Sequence, residues 1–152
     1  MSATTIQPYH GSYLMPSLEH ANVSDAMHPG ILSCDADATL TDVARMMAMH
    51  HVHSVAVMGL SLDQTGEKRV WGIISDVDVL RAAIRTTADH SAGALALRPV
   101  VSAELTTPLR EAGELMLVHG ATHIVVTEPD SDRPIGIIST LDIAGVLAWG
   151  EA

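Results

Sequence analysis

Two short junctions in the sequence combine a serine and an aspartate in a way that could hold a small polar ligand. Residues 72–78 read GIISDVD, and residues 136–142 read GIISTLD. Each junction is predicted to carry an apolar strand into the start of a helix, where unpaired N–H groups favour an anion. A serine hydroxyl can donate to that anion, and an ionised aspartate accepts hydrogen bonds from a diol. Two such junctions predict paired half-sites that could hold a sugar and a phosphate.

The elements around each junction follow the same order in both halves of the chain. Hydrophobic periodicity and capping signals predict a short helical turn, an extended run, a helix, two strands joined by a hairpin loop and a last helix. The longer helices are predicted to begin at Thr39 and Asp76 and again at Thr107 and Thr140. The halves are offset by about 64 to 70 residues, mostly because the second hairpin loop is shorter.

This repetition predicts an α/β (α+β) molecule built from two β-α-β-β-α repeats that pack as a pseudo-two-fold pair. We assign the first repeat to residues 23–86 and the second to residues 94–149. Residues 1–22 would form a polar arm, residues 87–93 a linker and residues 150–152 a tail. A solenoid is not expected, because it needs at least about three stacked repeats.

Composition limits the function classes. The formal net charge is −10, so the chain lacks the basic face with which proteins neutralise nucleic-acid phosphates, and anionic membranes are disfavoured too. No apolar stretch is long enough for a membrane span, and no secretory leader is expected. Cys34 is the single cysteine, which excludes an internal disulfide. We therefore expect a soluble cytoplasmic protein that binds neither nucleic acid nor membrane.

Residues 23–149 resemble a tandem pair of cystathionine-β-synthase (CBS) domains, a unit also called a Bateman module. The resemblance is carried by four features: residues 23–29 (VSDAMHP), the helix start at Thr39-Leu40, residues 120–126 (GATHIVV) and both GIIS-x-x-D junctions. It implies a regulatory or sensory module, not an enzyme, that binds AMP, ADP, ATP or a related adenosyl ligand in clefts between the repeats. It also implies a disc-like homodimer and a separate regulated partner protein.

The resemblance implies roles for the residues of both junctions. Asp78 and Asp142 would accept hydrogen bonds from the ribose hydroxyls of the ligand. Ser75 and Ser139 would contact phosphate beside the helix N-terminus.

The remaining implied contacts come from the strand entries and the extended runs. His53 and His123 fall where nucleotide-binding relatives often carry a basic side chain for the phosphate tail. Because histidine is mostly neutral at pH 7, it would give weak or pH-dependent binding, or selection of a less charged adenosyl ligand. The positions expected beside adenine include Leu32, Val101, Ala121 and Thr122.

The two half-sites are not equivalent in sequence. Asp76 adds a negative charge at the first helical turn of one junction and would repel phosphate, whereas Thr140 stands at the corresponding position of the other. Ala121 is smaller than His51, which we take as its counterpart, and leaves more room for a base. Both differences favour the Asp142 site.

Two other interpretations of the same residues remain open. The Ser-x-x-Asp spacing also fits a capping box, in which the two side chains only satisfy backbone groups at the helix start. In that case the protein would be an interaction module with vacant pockets. The sequence His50-His51-x-His53 could suggest a metal site, but these side chains end a helix and begin a strand and are not expected to converge on one ion.

Two further expectations concern catalysis and assembly. The acids beside Cys34 would raise the pKa of its thiol, and no nucleophile elbow or Walker loop is present, so no catalytic residues are assigned. Apolar helix positions are expected to form the core and a dimer seam. They are Met46, Met47, Met49, Leu115, Met116, Ile143, Val146, Leu147 and Trp149.

Overall fold

Strands and helices alternate in two similar series along the chain. The computed structural model describes residues 15–60, 68–85, 90–96 and 100–151, so most of the predicted arm and linker lies outside the described residues. In chain order the elements are α1 (Val23–Ala26), β1 (His28–Pro29), β2 (Ser33–Asp35), α2 (Leu40–His50), β3 (Ser54–Leu60), β4 (Lys68–Ser75), α3 (Asp76–Arg85), α4 (Ala92–Leu95), β5 (Ser102–Glu104), α5 (Leu109–His119), β6 (His123–Thr127), β7 (Pro134–Ser139) and α6 (Thr140–Trp149).

The strands form two small mixed sheets. One sheet has the order β2-β3-β4, with β2 parallel to β3 and β3 antiparallel to β4. The other has the order β1-β7-β6-β5, in which β5 and β6 are parallel and the remaining neighbours are antiparallel. Helices accompany both sheets, so the predicted α+β fold with two repeats is confirmed. We call the two packed units the first lobe, which holds β2 to β4, and the second lobe, which holds β5 to β7.

The ends of the long helices show how the repeats correspond. Helices α2 and α5 end at His50 and His119, and the next residues, His51 and Gly120, both adopt the left-handed conformation. Position 51 therefore matches position 120, an offset of 69 residues, and the counterpart of Ala121 is Val52. The prediction that paired Ala121 with His51 was wrong by one residue, because the two similar histidine-containing segments were aligned on their histidines and not on the helix ends.

Strand pairing gives the same register and changes a second prediction. Ser54 pairs with Ser75 at the end of the first hairpin, and His123 pairs with Ser139 at the end of the second. His123 is thus the counterpart of Ser54, so the prediction that His53 and His123 are equivalent was also wrong by one residue.

The start of helix α5 differs from its prediction. Pro108 occupies the N-cap position and makes no side-chain capping bond, whereas Thr107 lies one residue earlier and was expected to be the cap. Helix α2 shows the expected device, because Asp42 N donates to Thr39 Oγ1 and Thr39 N donates to Asp42 Oδ2, both at 3.1 Å.

The opening segments of the repeats are exchanged between the lobes. Val23 of α1 is fully buried in the second lobe, where its N–H donates to the Thr107 carbonyl at 2.9 Å. Ala92 of α4 is fully buried in the first lobe, where its N–H donates to the Ala38 carbonyl at 2.7 Å. These contacts are counterparts at the offset of 69 residues. The packing therefore crosses the predicted repeat boundaries.

The glycine of each GIIS junction is required by this exchange. A Cβ on Gly72 would lie 2.6 Å from Cβ of Ala96, and one on Gly136 would lie 2.6 Å from the His28 carbonyl oxygen. Both distances are too short for a side chain, so each exchanged segment crosses directly over the glycine of the other repeat's hairpin.

Each lobe has its own apolar core. The first is built from Val43, Met47, Val55, Val57, Ile74, Ala92 and Ala96. The second is built from Ala21, Val23, Ala103, Leu109, Ala112, Met116, Ile124, Val126, Ile138 and Val146. The lobes contact each other through β4 and β6, which places the two GIIS junctions near the boundary between them.

Candidate functional site

Each Ser-x-x-Asp junction forms a capping box at the start of its helix. Ser75 N donates to Asp78 Oδ2 at 2.9 Å, and Asp78 N donates to Ser75 Oγ at 3.2 Å. In the second repeat Ser139 N donates to Asp142 Oδ2 at 2.7 Å, and Asp142 N donates to Ser139 Oγ at 3.2 Å. The capping geometry is thus present in both repeats. The capping bonds use Oδ2 of each aspartate. The other oxygen, Oδ1, contacts a different residue in each repeat.

The partner of Oδ1 distinguishes the two junctions. Asp78 Oδ1 lies 3.3 Å from Nη1 of Arg81, one turn further along α3. Asp142 Oδ1 lies 2.7 Å from Nε2 of His28, which belongs to the exchanged segment from the first repeat. The Asp142 side chain is 9% exposed, against 25% for Asp78. His28 therefore covers the second aspartate, whereas the first keeps more access to solvent.

A cavity of about 390 Å³ lies between the lobes beside Asp78. This volume is within the range of small-molecule sites, roughly 300–1,000 Å³. The first repeat contributes Ile73, Ser75, Val77, Asp78 and Arg81 to its lining, and the second contributes Val100, Val101, His119, Gly120, Ala121, Thr122 and His123. Apolar walls thus meet a serine, a carboxylate, a guanidinium and histidines from two different repeats. We call this cavity the Asp78 cleft.

The cleft brings together six of the ten predicted site residues and regroups them. Those that line it are Ser75, Asp78, Val101, Ala121, Thr122 and His123. Ala121, which was expected to accompany Asp142, lies in the cleft with Asp78 instead. Ser139 and Asp142 form the other junction, and Leu32 packs against the core of the first lobe. His53 does not line the cleft but contacts Asp76 next to it.

Arg81, His119 and Gly120 line the cleft although they were not among the predicted site residues. Arg81 follows Asp78 by one helical turn, a spacing at which opposite charges commonly pair, so its role could have been read from the sequence. His119 and Gly120 end helix α5, and their part in the cleft depends on how the lobes pack.

The start of helix α3 carries an additional acidic contact. Asp76 Oδ1 accepts a hydrogen bond from Val77 N at 2.9 Å, and Asp76 Oδ2 lies 2.8 Å from Nδ1 of His53. The hydrogen bond with His53 is the main reason why the pKa of Asp76 lies below its ordinary value. Asp76 is therefore an anion at neutral pH, beside the opening helical turn of the cleft wall.

His123 is partly buried at the start of strand β6. Its Nδ1 lies 2.9 Å from Thr122 Oγ1. Burial lowers the pKa of His123, although the carboxylates of Asp76, Asp142 and Asp78 act in the opposite direction. The neutral imidazole is the form that this environment favours at pH 7, and it can donate or accept one hydrogen bond on each ring nitrogen according to its tautomer.

Three further observations concern the other predicted classes of site. No group of three or more His, Cys, Asp or Glu side chains in the described ranges is arranged to hold a metal ion. Burial first, and then Asp35 and Asp42, raise the pKa of the Cys34 thiol, which disfavours a thiolate nucleophile. None of the described helices is both long enough and apolar enough to cross a membrane.

The protein is similar to several proteins that contain CBS domains. A curated relative, the CBS domain-containing protein YhcV of Bacillus subtilis (strain 168), is 25% identical over 129 residues, which cover 82% of this chain and 84% of YhcV. The structure of the CBS domain protein PAE2072 from Pyrobaculum aerophilum, complexed with AMP, matches with a TM-score of 0.68 and 26% identity, covering 84% of this chain and 98% of that one.

A more distant structure supports the same fold. The CBS domain pair of protein MJ0100, in complex with 5′-methylthioadenosine and S-adenosyl-L-methionine, matches with a TM-score of 0.71 and 18% identity, covering 84% of this chain and 96% of that one. The family model of the CBS domain matches residues 23–85 and again residues 92–148, which is more than half of the sequence. The predicted resemblance is confirmed: the chain belongs to the CBS domain family and carries two CBS domains in tandem.

Proposed function

We propose that this protein is a regulatory CBS pair that binds an adenosine-type ligand in the Asp78 cleft and signals its occupancy to a partner protein. The observation that carries the proposal is the convergence of Ser75 and Asp78 from one repeat with Val101, Ala121 and Thr122 from the other around one cavity. Apolar walls suit a base, and a carboxylate oxygen that already accepts from Arg81 can also accept from sugar hydroxyls. The AMP complex of PAE2072 supports this ligand class.

In this proposal the two aspartates have different tasks. Asp78 uses Oδ2 for capping and offers Oδ1 to the ribose. The same Oδ1 atom of Asp142 is held at 2.7 Å by His28, so the second junction fastens the exchanged segment to the second lobe. We therefore propose one primary ligand site, beside Asp78, instead of the site beside Asp142 that the sequence favoured.

We propose that the protein binds its ligand without catalysing a reaction, and that two copies of the chain associate. Burial and the nearby acids raise the pKa of the Cys34 thiol, which disfavours it as a nucleophile. Helices α3 and α6 expose apolar side chains to solvent, among them Ile84 (74% exposed) and Leu141 (69% exposed). Exposed apolar faces of this kind mark interaction sites. We propose that two copies of the chain pair through α3 and α6. The cytoplasmic location expected from the sequence stays a prediction.

The alternative, an interaction module that binds no small ligand, also has an observation in its favour. Both Ser-x-x-Asp pairs are satisfied within their own junctions, and the described residues contain no buried side-chain polar atom without a hydrogen bond. A protein whose polar groups are already satisfied needs no ligand to complete its structure.

Thermal shift and calorimetry with adenosine, AMP, ADP, ATP and S-adenosylmethionine separate these functions. A ligand at a hundred times its dissociation constant stabilises the fold by about 2.7 kcal/mol. Asp78→Asn is expected to weaken binding at least tenfold. Asp142→Asn is the matched control, because it disturbs an equivalent capping box and is expected to keep binding within about threefold of the wild type.

Two results would contradict the proposal. If none of the five compounds shifts the melting temperature or gives a binding heat, the interaction module is the better description. If Asp142→Asn abolishes binding and Asp78→Asn does not, the ligand lies at the other junction.

A further inference from the structure

The amide groups at the start of helix α3 are already used by the protein itself. Asp76 N donates to the His53 carbonyl at 3.0 Å, Val77 N donates to Asp76 Oδ1 at 2.9 Å, and Asp78 N donates to Ser75 Oγ at 3.2 Å. The first N–H groups of a helix are those that usually bind a phosphate. Here a phosphate would have to displace a carbonyl, a carboxylate and a hydroxyl of the chain. The Asp76 carboxylate occupies the N–H group of Val77, a residue that lines the cleft, while Asp76 itself lies beside the lining residues.

The charges around this end of the cleft are unfavourable for an anion as well. Arg81 is the permanent cation among the lining residues in the described part of the chain, and its guanidinium lies 3.3 Å from the Asp78 carboxylate. His53 is engaged by Asp76 at 2.8 Å. Burial keeps His123 on the neutral side, while three carboxylates act on it: Asp76, Asp78 and Asp142. With Arg81 balanced by Asp78, the other two carboxylates near His123 are Asp76 and Asp142, which contact His53 and His28.

The second repeat shows that the fold does not need an acid at this position. Thr140 is the counterpart of Asp76, and its N–H makes the equivalent bond to the Thr122 carbonyl at 3.0 Å. Helix α6 is also capped by its own Ser-x-x-Asp pair without an acid at the first helical position. A junction of this kind can therefore form without an acid at its first helical position, and an effect of Asp76 on the ligand is a separate question.

We propose that Asp76 is a specificity residue, so that the Asp78 cleft takes a nucleoside whose 5′ substituent is neutral or positively charged and discriminates against nucleoside polyphosphates. This inference rests on the proposed function and narrows its ligand class. A neutral 5′ group leaves the hydrogen bonds of the α3 start in place. A cationic group, such as a sulfonium with an ammonium tail, would be attracted by the Asp76 carboxylate beside the cleft, whereas a chain of phosphates would be repelled by it.

The test compares dissociation constants for adenosine, S-adenosylmethionine, AMP and ATP at pH 7.5 and fixed ionic strength, without Mg²⁺. The wild type is expected to bind adenosine or S-adenosylmethionine at least tenfold more tightly than ATP. Asp76→Thr introduces the residue of the second repeat and is expected to reduce this preference at least tenfold, with adenosine affinity within about threefold of the wild type. Asp76→Asn removes the charge with little change of shape and is expected to reduce the preference in the same direction.

The control is Asp37→Asn, which removes the same charge from an exposed position that does not line the cleft. It is expected to leave the ratio of dissociation constants unchanged. If the wild type binds ATP as tightly as adenosine, the inference is overturned while the proposed function stands. If the preference exists but survives in both Asp76 variants, the role of Asp76 is overturned. If no adenosyl compound binds, the proposed function fails and the inference fails with it.

Discussion

At the scale of single residues, the two capping aspartates show how one motif can serve two purposes. Asp78 and Asp142 make the same bonds to their own serines, yet Arg81 meets the first and His28 meets the second. The capping arrangement was predictable from the spacing alone. The contact with His28 was not, because it joins residues far apart in the sequence and depends on the exchange of segments between lobes.

His123 predicts a pH dependence of stability at this scale. Its pKa is lowered in the folded protein, chiefly by burial, while the unfolded chain takes up a proton near pH 6.5. Between pH 6.5 and the lower folded pKa the unfolded state binds more protons, so stability falls as the pH falls through this window. The slope due to this one group cannot exceed about 1.4 kcal/mol per pH unit.

The measurement is urea unfolding at pH 7.5, 6.5 and 5.5. His123→Ser places the residue of Ser54, its counterpart, in the second repeat and is expected to reduce the pH slope. His50→Ser, which changes an exposed histidine at the end of α2, is the control and is expected to keep it. An unaltered slope in His123→Ser would contradict the assignment.

At the scale of elements, packing is close where an exchanged segment crosses a hairpin. Gly136→Ala would put Cβ 2.6 Å from the His28 carbonyl, and Gly72→Ala would put Cβ 2.6 Å from Cβ of Ala96. Each substitution is expected to lower the free energy of unfolding by about 1–3 kcal/mol, because the segment or the strand must shift. Urea unfolding monitored by circular dichroism measures the change.

A third glycine provides the control for this prediction. Gly145 lies within helix α6 and has no atom within 4 Å of the position of an added Cβ. Gly145→Ala is expected to stabilise the protein by about 0.5–1 kcal/mol, because alanine loses less conformational freedom in a helix. Tolerance of alanine at Gly72 and Gly136 would show that the exchanged segments do not pack against the hairpins as described.

The elements themselves were largely predictable, and their register was not. The repeated GIIS junctions and the Thr39 capping box marked strand ends and helix starts correctly. The histidines near positions 51 and 120 suggested a register between the repeats that was wrong by one residue. Residues of the same type stand at positions that differ by one in their place relative to the helix end. A left-handed residue after a helix can be histidine or glycine, so composition alone did not show that His51 and Gly120 correspond.

At the scale of the whole molecule, the exposed apolar faces of α3 and α6 predict self-association. Leu80 and Ile84 of α3 are 59% and 74% exposed, and Leu147 of α6 is 66% exposed. Leu80→Glu combined with Ile84→Glu is expected to convert a dimer into a monomer, because two charges would be buried without partners. Light scattering after size-exclusion chromatography measures the mass directly.

The control places a single added carboxylate on another surface, whereas the double variant adds two. Thr106→Glu changes an exposed residue in the turn between β5 and α5 and is expected to leave the dimer intact. A monomeric wild type, or a double variant that remains dimeric, would contradict the proposed seam. The apolar pattern of these helices was visible in the sequence, but whether each residue lies in the core or at the surface was decided by the packing of the lobes.

Because the opening segments are exchanged, each lobe contains residues of both CBS domains, so we expect the pair and not the single domain to fold independently. A gene fragment that encoded one sequence repeat would produce most of one lobe without the exchanged segment that completes it. It would also produce an exchanged segment whose own lobe is missing. A transplant of this architecture into another protein, by evolution or by an engineer, would therefore have to move both repeats at once.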